Sequence, residues 1–208
     1  LKLPSIRFGL LIALLFFSAW AGFMFCMALT LQAGMGMTPY QSGNSFIALG
    51  VAYFIAAWYA PKLISRYSMR TILLTGLTIQ IAGLLTLMVT LHLSGRVVGV
   101  LALAPATLLI GYGQALIVNS FYRIGMRDIT AQDAGAGSAL LSTLQQSALG
   151  LGPALLGGIF LHLVGQSHGD YSAALSGFLA TEVVMMLALV AAALFARRQL
   201  APRCTTTA

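Results

Sequence analysis

Six long apolar segments, separated by short connections that carry almost every charge, make up most of the chain. The segments are 8–31, 42–61, 71–93, 97–120, 134–164 and 171–196. Each is close to or longer than the roughly 20 residues that an α-helix needs to cross about 30 Å of hydrocarbon. The pattern predicts an all-α membrane protein with six transmembrane helices.

The composition agrees with a lipid environment. The chain is 59% hydrophobic and only 7% charged, whereas a soluble domain has about 25% charged residues. Cys26 lies in the first segment and Cys204 in the terminal tail, and no metal-ligand spacing is present. We therefore expect no metal site and no cofactor.

The basic residues predict the orientation in the membrane. On the six-span map Arg96 lies alone on one side, and ten of the eleven Lys and Arg lie on the other. Those ten are Lys2, Arg7, Lys62, Arg66, Arg70, Arg123, Arg127, Arg197, Arg198 and Arg203. The positive-inside rule then places both ends, and a tail at 197–208, on the cytoplasmic side of the inner membrane. The net charge of +7 thus reports topology and a weak affinity for anionic lipid, and nucleic acid is not an expected partner.

The start of the chain indicates a longer protein. Its first residue is Leu1, and an uncharged segment of 24 residues follows directly after the basic N-terminal residues. This segment is about twice as long as the hydrophobic region of a signal peptide. We interpret it as a true span, and we expect the chain to be the C-terminal piece of a larger protein.

Two loops share the pattern Thr-x-x-(Gln/Asp)-x-Gly and predict an internal repeat. One runs over 38–43 before the second span, and the other over 130–135 before the fifth. Each pattern predicts a capping box, with Pro39 at the first helical position in the former. Because the two loops lie on opposite sides of the membrane, spans one to three and four to six are predicted to be inverted three-helix repeats.

The fifth span combines small and polar residues on one wide face of a helix. Its stripes hold Ser138, Ser142, Gln145 and Gly152, and beside them Ala139, Thr143, Gln146, Gly150, Pro153 and Gly157. The opposite side presents Leu140, Leu144, Leu151 and Leu155, which suits lipid. The small and polar face must contact protein or water. It could pack against another helix through hydrogen bonds, or line a substrate cavity.

Polar side chains in other spans have two interpretations each. Gln114 and Asn119 in the fourth span could line a path or pack against neighbours. Glu182, the one acidic residue deep in a span, is either a proton-coupling carboxylate or a neutral acid hydrogen-bonded to Gln80. The outer-loop residues His162, His168 and Asp170 are interpreted as a solvated turn, with metal binding or proton sensing as the alternative.

Several motifs, in order, resemble the C-terminal half of major facilitator superfamily transporters, and most closely the fourteen-span drug:proton antiporter branch. They are Leu31-Gln32, the Thr-Pro-Tyr-Gln-Ser-Gly of 38–43, the turn at 63–70 with Ser68 in place of a glycine, and the helix start at 134–141. The segment 152–158 resembles the antiporter motif Gly-Pro-x-x-Gly-Gly with one extra residue, at the pseudo-symmetric position in the other half.

The resemblance implies roles for the spans. The first and fourth would line a central cavity, the second and fifth would contact the missing N-terminal half, and the third and sixth would be peripheral. It implies cavity contacts for Trp20, Phe23, Phe25, Gln114 and Asn119, to which Gln145 is added from its helix face. It makes a direct transport role for Glu182 less expected, because a peripheral helix does not normally contact the substrate. Arg66 and Arg70 would anchor the cytoplasmic turn, and Gly150, Gly152, Pro153 and Gly157 would form a close-packed interface.

The expected function is proton-coupled efflux of small organic or drug-like compounds by a secondary transporter, of which this chain is one half. Its expected partners are the other half, membrane lipids, the substrate and protons, and the mechanism would be rocking of two six-helix bundles. A scaffold or sensor of the same fold is the first alternative. An intramembrane enzyme is the second, but Ser138 and His162 would lie ~36 Å apart along one helix.

Overall fold

A computed structural model describes residues 4–95, 98–126 and 129–199, and the described part of the chain is helical without any strand. The helices are α1 (Pro4–Leu29), α2 (Pro39–Asn44), α3 (Ile47–Arg66), α4 (Met69–Ser94), α5 (Val100–Met126), α6 (Ala134–Gln166) and α7 (Tyr171–Gln199). A π-helical turn, Thr30–Gly34, extends α1, and a 3-10 turn, Ala131–Asp133, precedes α6. Six helical stretches are long and apolar enough to cross a membrane, with α2 and α3 counted as one. The predicted all-α membrane fold is confirmed.

The second span starts as predicted and ends later than predicted. The Thr38 hydroxyl accepts from the Gln41 N–H at 3.3 Å, and the Gln41 side chain accepts from the Thr38 N–H at 3.0 Å. This capping box, with Pro39 at the first position, begins α2. The helix continues through Pro61 to Arg66, five residues beyond the approximate end predicted for the apolar span. A proline removes one backbone hydrogen bond and bends a helix, which an exposed final turn tolerates.

The second predicted capping box does not form. The Thr130 hydroxyl donates to the Asp133 carboxylate at 2.9 Å, and it does not accept from a helix N–H within the described residues. The segment Ala131–Asp133 adopts a 3-10 turn, so that α6 begins only at Ala134, without a side-chain cap. The same residue pattern therefore caps a helix in one loop and closes a turn ahead of the helix in the other.

The packing of the helices shows the two repeats. α1 packs extensively along α6, and α5 packs in the same way along α3. In the predicted repeat α1 corresponds to α5, α3 to α6 and α4 to α7. Exchanging the corresponding helices turns the α1–α6 pair into the α5–α3 pair. The central pair α4–α7 maps onto itself, while α4–α5 is much more extensive than its counterpart α7–α1. The chain thus consists of two inverted three-helix repeats with two unequal contacts, α4–α5 against α7–α1 and α6–α7 against α3–α4.

Glycines allow the closest approaches at both equivalent pairs. A Cβ on Gly152 of α6 would lie 2.2 Å from the carbonyl oxygen of Ser18 in α1. A Cβ on Gly111 of α5 would lie 2.2 Å from the carbonyl oxygen of Leu49 in α3. Helices in membranes pack by such backbone approach at small residues, because lipid removes the hydrophobic drive for association.

Burial differs among the spans. The apolar windows of α5 and α1 are 56% and 50% buried, whereas those of α3 and α6 are only 28% and 22% buried. The large fully buried side chains include Phe16, Phe23, Phe160 and Phe178, which lie on α1, α6 and α7. The second and fifth spans therefore have the most surface free of contact within this chain.

The described basic side chains gather at one end of the bundle. Lys62 and Arg66 lie at the end of α3, Arg70 at the start of α4, and Arg123 near the end of α5. Lys2, Arg96, Arg127 and Arg203, and the side chains of Arg7, Arg197 and Arg198, lie outside the described residues. We call the end that carries Lys62, Arg66, Arg70 and Arg123 the basic end.

Candidate functional site

A hydrogen bond between Tyr122 and Gln145 joins the fourth and fifth spans. The Tyr122 hydroxyl donates to Oε1 of Gln145, and both side chains are partly buried. Tyr122 was not among the residues predicted from the sequence. A helical stripe could have indicated it, because Tyr112, Asn119 and Tyr122 recur at spacings of seven and three.

Two further polar side chains accompany this pair. Asn119 lies one turn before Tyr122 on the same side of α5, and its Nδ2 donates to the Ala115 carbonyl at 2.9 Å. Tyr53 of α3 lies near Tyr122. The second, fourth and fifth spans therefore bring Tyr53, Asn119, Tyr122 and Gln145 toward one another, and we call these four residues the polar cluster.

An aromatic row links the polar cluster to the first span. Ring centroids lie 5.4 Å apart between Phe16 and Phe17, 5.5 Å between Phe17 and Phe121, and 5.3 Å between Phe121 and Tyr122, all in edge-to-face geometry. Such pairs contribute about 0.5–1.5 kcal/mol each beyond their burial. The row fixes Tyr122 from the side of α1.

The three aromatic candidates of the first span have different environments. Phe23 is 2% exposed and belongs to the core, while Trp20 is partly buried with its ring 5.7 Å from that of Phe23. Phe25 is 39% exposed and lies against Gly157 of α6. Among the described residues no ring contact joins any of the three to Tyr122, so the structure does not bring them together with the polar cluster.

Gln114, Gln80 and Glu182 lie inside the bundle. They are 4%, 2% and 1% exposed, and Oε1 of each has no hydrogen-bond partner within the described residues. The hydrogen bond predicted between Gln80 and Glu182 is therefore not formed by these oxygens. Glu182 lies near Cys26 of α1. A buried polar atom without a partner is costly, so these oxygens are candidate acceptors for internal water.

The small and polar face of α6 is divided between two environments. Gly152 and Gly157 are buried against α1, where their Cβ positions would meet Ser18 and Phe25. At these two positions the close-packed contact predicted for the glycines is made with α1 of this chain. A Cβ on Gly150 would have no neighbour within 4 Å, and Pro153 is partly buried.

The rest of that helix follows the wheel more closely. Ser138, Ser142, Thr143 and Gln146 are exposed. On the opposite side Leu140, Leu151 and Leu155 are 43%, 42% and 57% exposed. These polar residues form an exposed surface of α6, next to the partly buried Gln145.

Three of the motifs that carry the family resemblance make hydrogen bonds in the structure. The first two contact each other, and the third caps a helix. Nε2 of Gln32 lies 3.4 Å from the Ser42 hydroxyl and can donate to it, which ties the π-helical turn to α2. Ser68 stands where the motif has glycine, and its hydroxyl accepts from the Thr71 N–H at 3.2 Å as the N-cap of α4. Arg66 and Arg70 flank this cap on opposite sides of the turn.

The outer loop between α6 and α7 shows no joint site. His162 is exposed and lies 3.0 Å from the Gln166 amide, and Asp170 caps α7 by accepting from the Ser172 N–H at 3.0 Å. Within the described residues no group of three metal-binding side chains occurs.

No protein-family model matches the chain. A protein of Streptomyces coelicolor described as a probable actinorhodin transporter is 27% identical to it over 157 residues. The match includes 76% of this chain and covers 27% of the length of that relative. The chain is thus similar to a part of a protein with a transport name, and it has the helices of a multi-pass membrane protein.

Proposed function

We propose that this chain forms the C-terminal six-helix half of a major facilitator type secondary transporter that exports small organic compounds. The observation that carries the proposal is the pair of inverted three-helix repeats with a polar cluster between the second, fourth and fifth spans. Inverted repeats with a site between them are a common plan of secondary transporters. The similarity to a part of a probable actinorhodin transporter favours an organic substrate.

The second and fifth spans would contact the N-terminal half. They are the least buried spans of this chain, and exposed polar groups on α6, including Ser142 and Gln146, need hydrogen-bond partners that lipid does not offer. Polar and small surfaces on a membrane helix are satisfied by another helix or by water.

The polar cluster would contribute one wall of the substrate cavity. Tyr122 and Gln145 offer a hydroxyl and an amide beside the edge-to-face ring of Phe121. This mixture suits an organic molecule with both aromatic and polar parts, because ligand sites combine apolar walls with a few positioned polar groups. Phe25, at 39% exposure, is the accessible aromatic residue of the first span.

Proton coupling and alternating access belong to the proposal. The two halves would rock about a midplane site. Glu182 is a weak candidate for carrying the proton, since it is buried near Cys26 of α1 and lies on a span outside the polar cluster.

The test is transport in proteoliposomes that contain this chain together with the proposed N-terminal half, compared with the 208-residue chain alone. We expect proton-gradient-driven movement of an aromatic organic substrate by the pair and none by the chain alone. Transport by the pair without a gradient would refute proton coupling only. Binding of substrate without any transport, or a pair that fails to associate, would favour a scaffold or sensor and overturn the proposal.

A further inference from the structure

We propose that the basic end of α3 holds an anionic phospholipid, with its headgroup between Lys62 and Arg66. A groove of about 660 Å³ lies there, lined by Tyr59, Lys62, Leu63, Ser65, Arg66 and Tyr67. The inference depends only on the chain lying in a membrane and not on the transport function.

The headgroup contacts come from one side of the helix. Tyr59, Lys62, Leu63 and Arg66 follow the spacing of three, four and seven residues, which places them on a single stripe of α3. Nζ of Lys62 lies 6.0 Å from the centroid of the Tyr59 ring, within the range of a cation–π interaction. The Ser65 hydroxyl donates to the Lys62 carbonyl at 2.8 Å. The groove therefore presents two cations as its principal donors to an anion.

Within the described residues no carboxylate forms an ion pair with Lys62 or Arg66. Arginine binds phosphate through a planar fork of N–H groups, and lysine adds a compact point charge. Tyr59 and Tyr67, at 52% and 58% exposure, are the amphipathic rings that membrane proteins place at the headgroup level. Charge and ring position both fit a lipid phosphate at the interface.

The acyl chains have a matching surface. Ile55 and Val51 lie four and eight residues before Tyr59 on the same stripe, and they are 48% and 49% exposed. This apolar strip leads from the groove along α3 toward the middle of the span. A free phosphate would use the cations alone, whereas a phospholipid uses both the cations and the strip.

The strip faces away from the polar cluster. Ile55 comes two residues after Tyr53, which is about 200° around the helix, and Tyr53 is the residue that approaches Tyr122. Leu63 of the groove packs against a small buried cluster that includes Ile72 of α4. The groove thus lies beside the start of α4 and away from Tyr53, where lipid is the expected neighbour.

Native mass spectrometry of the purified full chain in mixed micelles tests the proposal, with dioleoyl phosphatidylglycerol as the probe and dioleoyl phosphatidylcholine as the neutral lipid. We expect preferential retention of phosphatidylglycerol. Lys62→Gln and Arg66→Gln should each weaken it roughly fivefold, and the double variant about 25-fold. The charge-preserving pair Lys62→Arg and Arg66→Lys should retain binding.

The matched control is Arg123→Gln, which removes an exposed cation at the same end of the bundle but outside the groove. An equal loss in this control would show general attraction to the basic end and overturn the site. Full displacement of the lipid by inorganic phosphate, or unchanged binding after Ile55→Ser, would overturn the phospholipid assignment. If the lipid is lost when the N-terminal half is added, the groove is a contact between halves and the proposal fails.

Discussion

Gly152 lies so close to the carbonyl oxygen of Ser18 that a Cβ at this position would come within 2.2 Å of it. Beside this contact the Ser18 hydroxyl donates to the Ala148 carbonyl at 3.1 Å, so residue 18 of α1 meets two successive turns of α6. The first and fifth spans are therefore in close contact at this level.

The first prediction concerns this contact. Gly152→Ala must push α1 and α6 apart, because the obstacle is backbone and cannot rotate away. Overpacking of this kind costs about 1–3 kcal/mol. We expect a clear fall in the unfolding temperature of the detergent-solubilised chain, measured by tryptophan fluorescence or by aggregation on heating.

Gly150→Ala is the matched control on the same helix. Gly150 has nothing within 4 Å of its Cβ position, and alanine is a better helix former than glycine by about 1 kcal/mol. This variant should be as stable as the parent chain or more stable. Equal losses in the two variants would contradict the packing described for α1 and α6.

The sequence predicted which side of α6 is apolar but not the neighbour of each glycine. Leu140, Leu151 and Leu155 are exposed as the helical wheel indicated. Gly150 and Gly152 belong to adjacent stripes of one face, yet one is open and the other touches α1. A wheel shows direction around one helix, and only the packing of six helices determines what lies in that direction.

The loop sequences likewise predicted local hydrogen bonds only in part. The pattern Thr-x-x-(Gln/Asp)-x-Gly predicted two capping boxes, and the structure forms one.

The candidate site was also only partly predictable from the sequence. Gln145 and Asn119 stood out as polar residues inside apolar spans, whereas Tyr122 did not, because a tyrosine near a helix end is ordinary in a membrane protein. Its hydrogen bond to Gln145, 23 residues further along the chain, depends on how the two helices pack.

The second prediction tests the link between the fourth and fifth spans. Tyr122→Phe removes the hydroxyl and leaves Oε1 of the partly buried Gln145 without its donor. The loss should cost about 1–2 kcal/mol of stability. Gln145→Leu should cost a similar amount, and the double variant should cost less than the sum of the two single variants, because both remove the same bond. Chemical denaturation of the four proteins measures the coupling.

Tyr112→Phe is the control for loss of a hydroxyl on the same helix. Tyr112 packs beside the small cluster of Ala60, Ile64, Ile72 and Leu116, and no hydrogen bond of its hydroxyl is seen among the described residues. We expect little change in stability. If the proposed transporter forms with an N-terminal half, Tyr122→Phe should also weaken substrate binding while Tyr112→Phe does not. A fully additive double variant would rule out the bond.

The third prediction concerns Glu182. Its carboxyl group is 1% exposed, with one oxygen unpartnered within the described residues. An amide of the same shape is cheaper to bury than a group able to ionise, so Glu182→Gln should keep or raise the unfolding temperature. Glu182→Ala should lower it by opening a cavity. Proton-gradient-driven transport that survives Glu182→Gln would place coupling elsewhere, whereas its loss in a stable variant would assign the proton to Glu182.

The last prediction compares the two threonines that share one sequence pattern. Thr38 caps α2 by accepting from the Gln41 N–H, and replacing such a cap by alanine costs about 1 kcal/mol. Thr130 bonds only to the Asp133 side chain in an exposed turn, so Thr130→Ala should cost a few tenths of a kcal/mol.

Hydrogen exchange separates these two outcomes locally. In Thr38→Ala the amides of the first turn of α2, including that of Gln41, should exchange about five times faster, which corresponds to about 1 kcal/mol of local opening. The first turn of α6 should be unchanged in Thr130→Ala. Equal effects at the two positions would mean that the second loop also caps its helix, and that the 3-10 turn at Ala131–Asp133 does not separate Thr130 from α6.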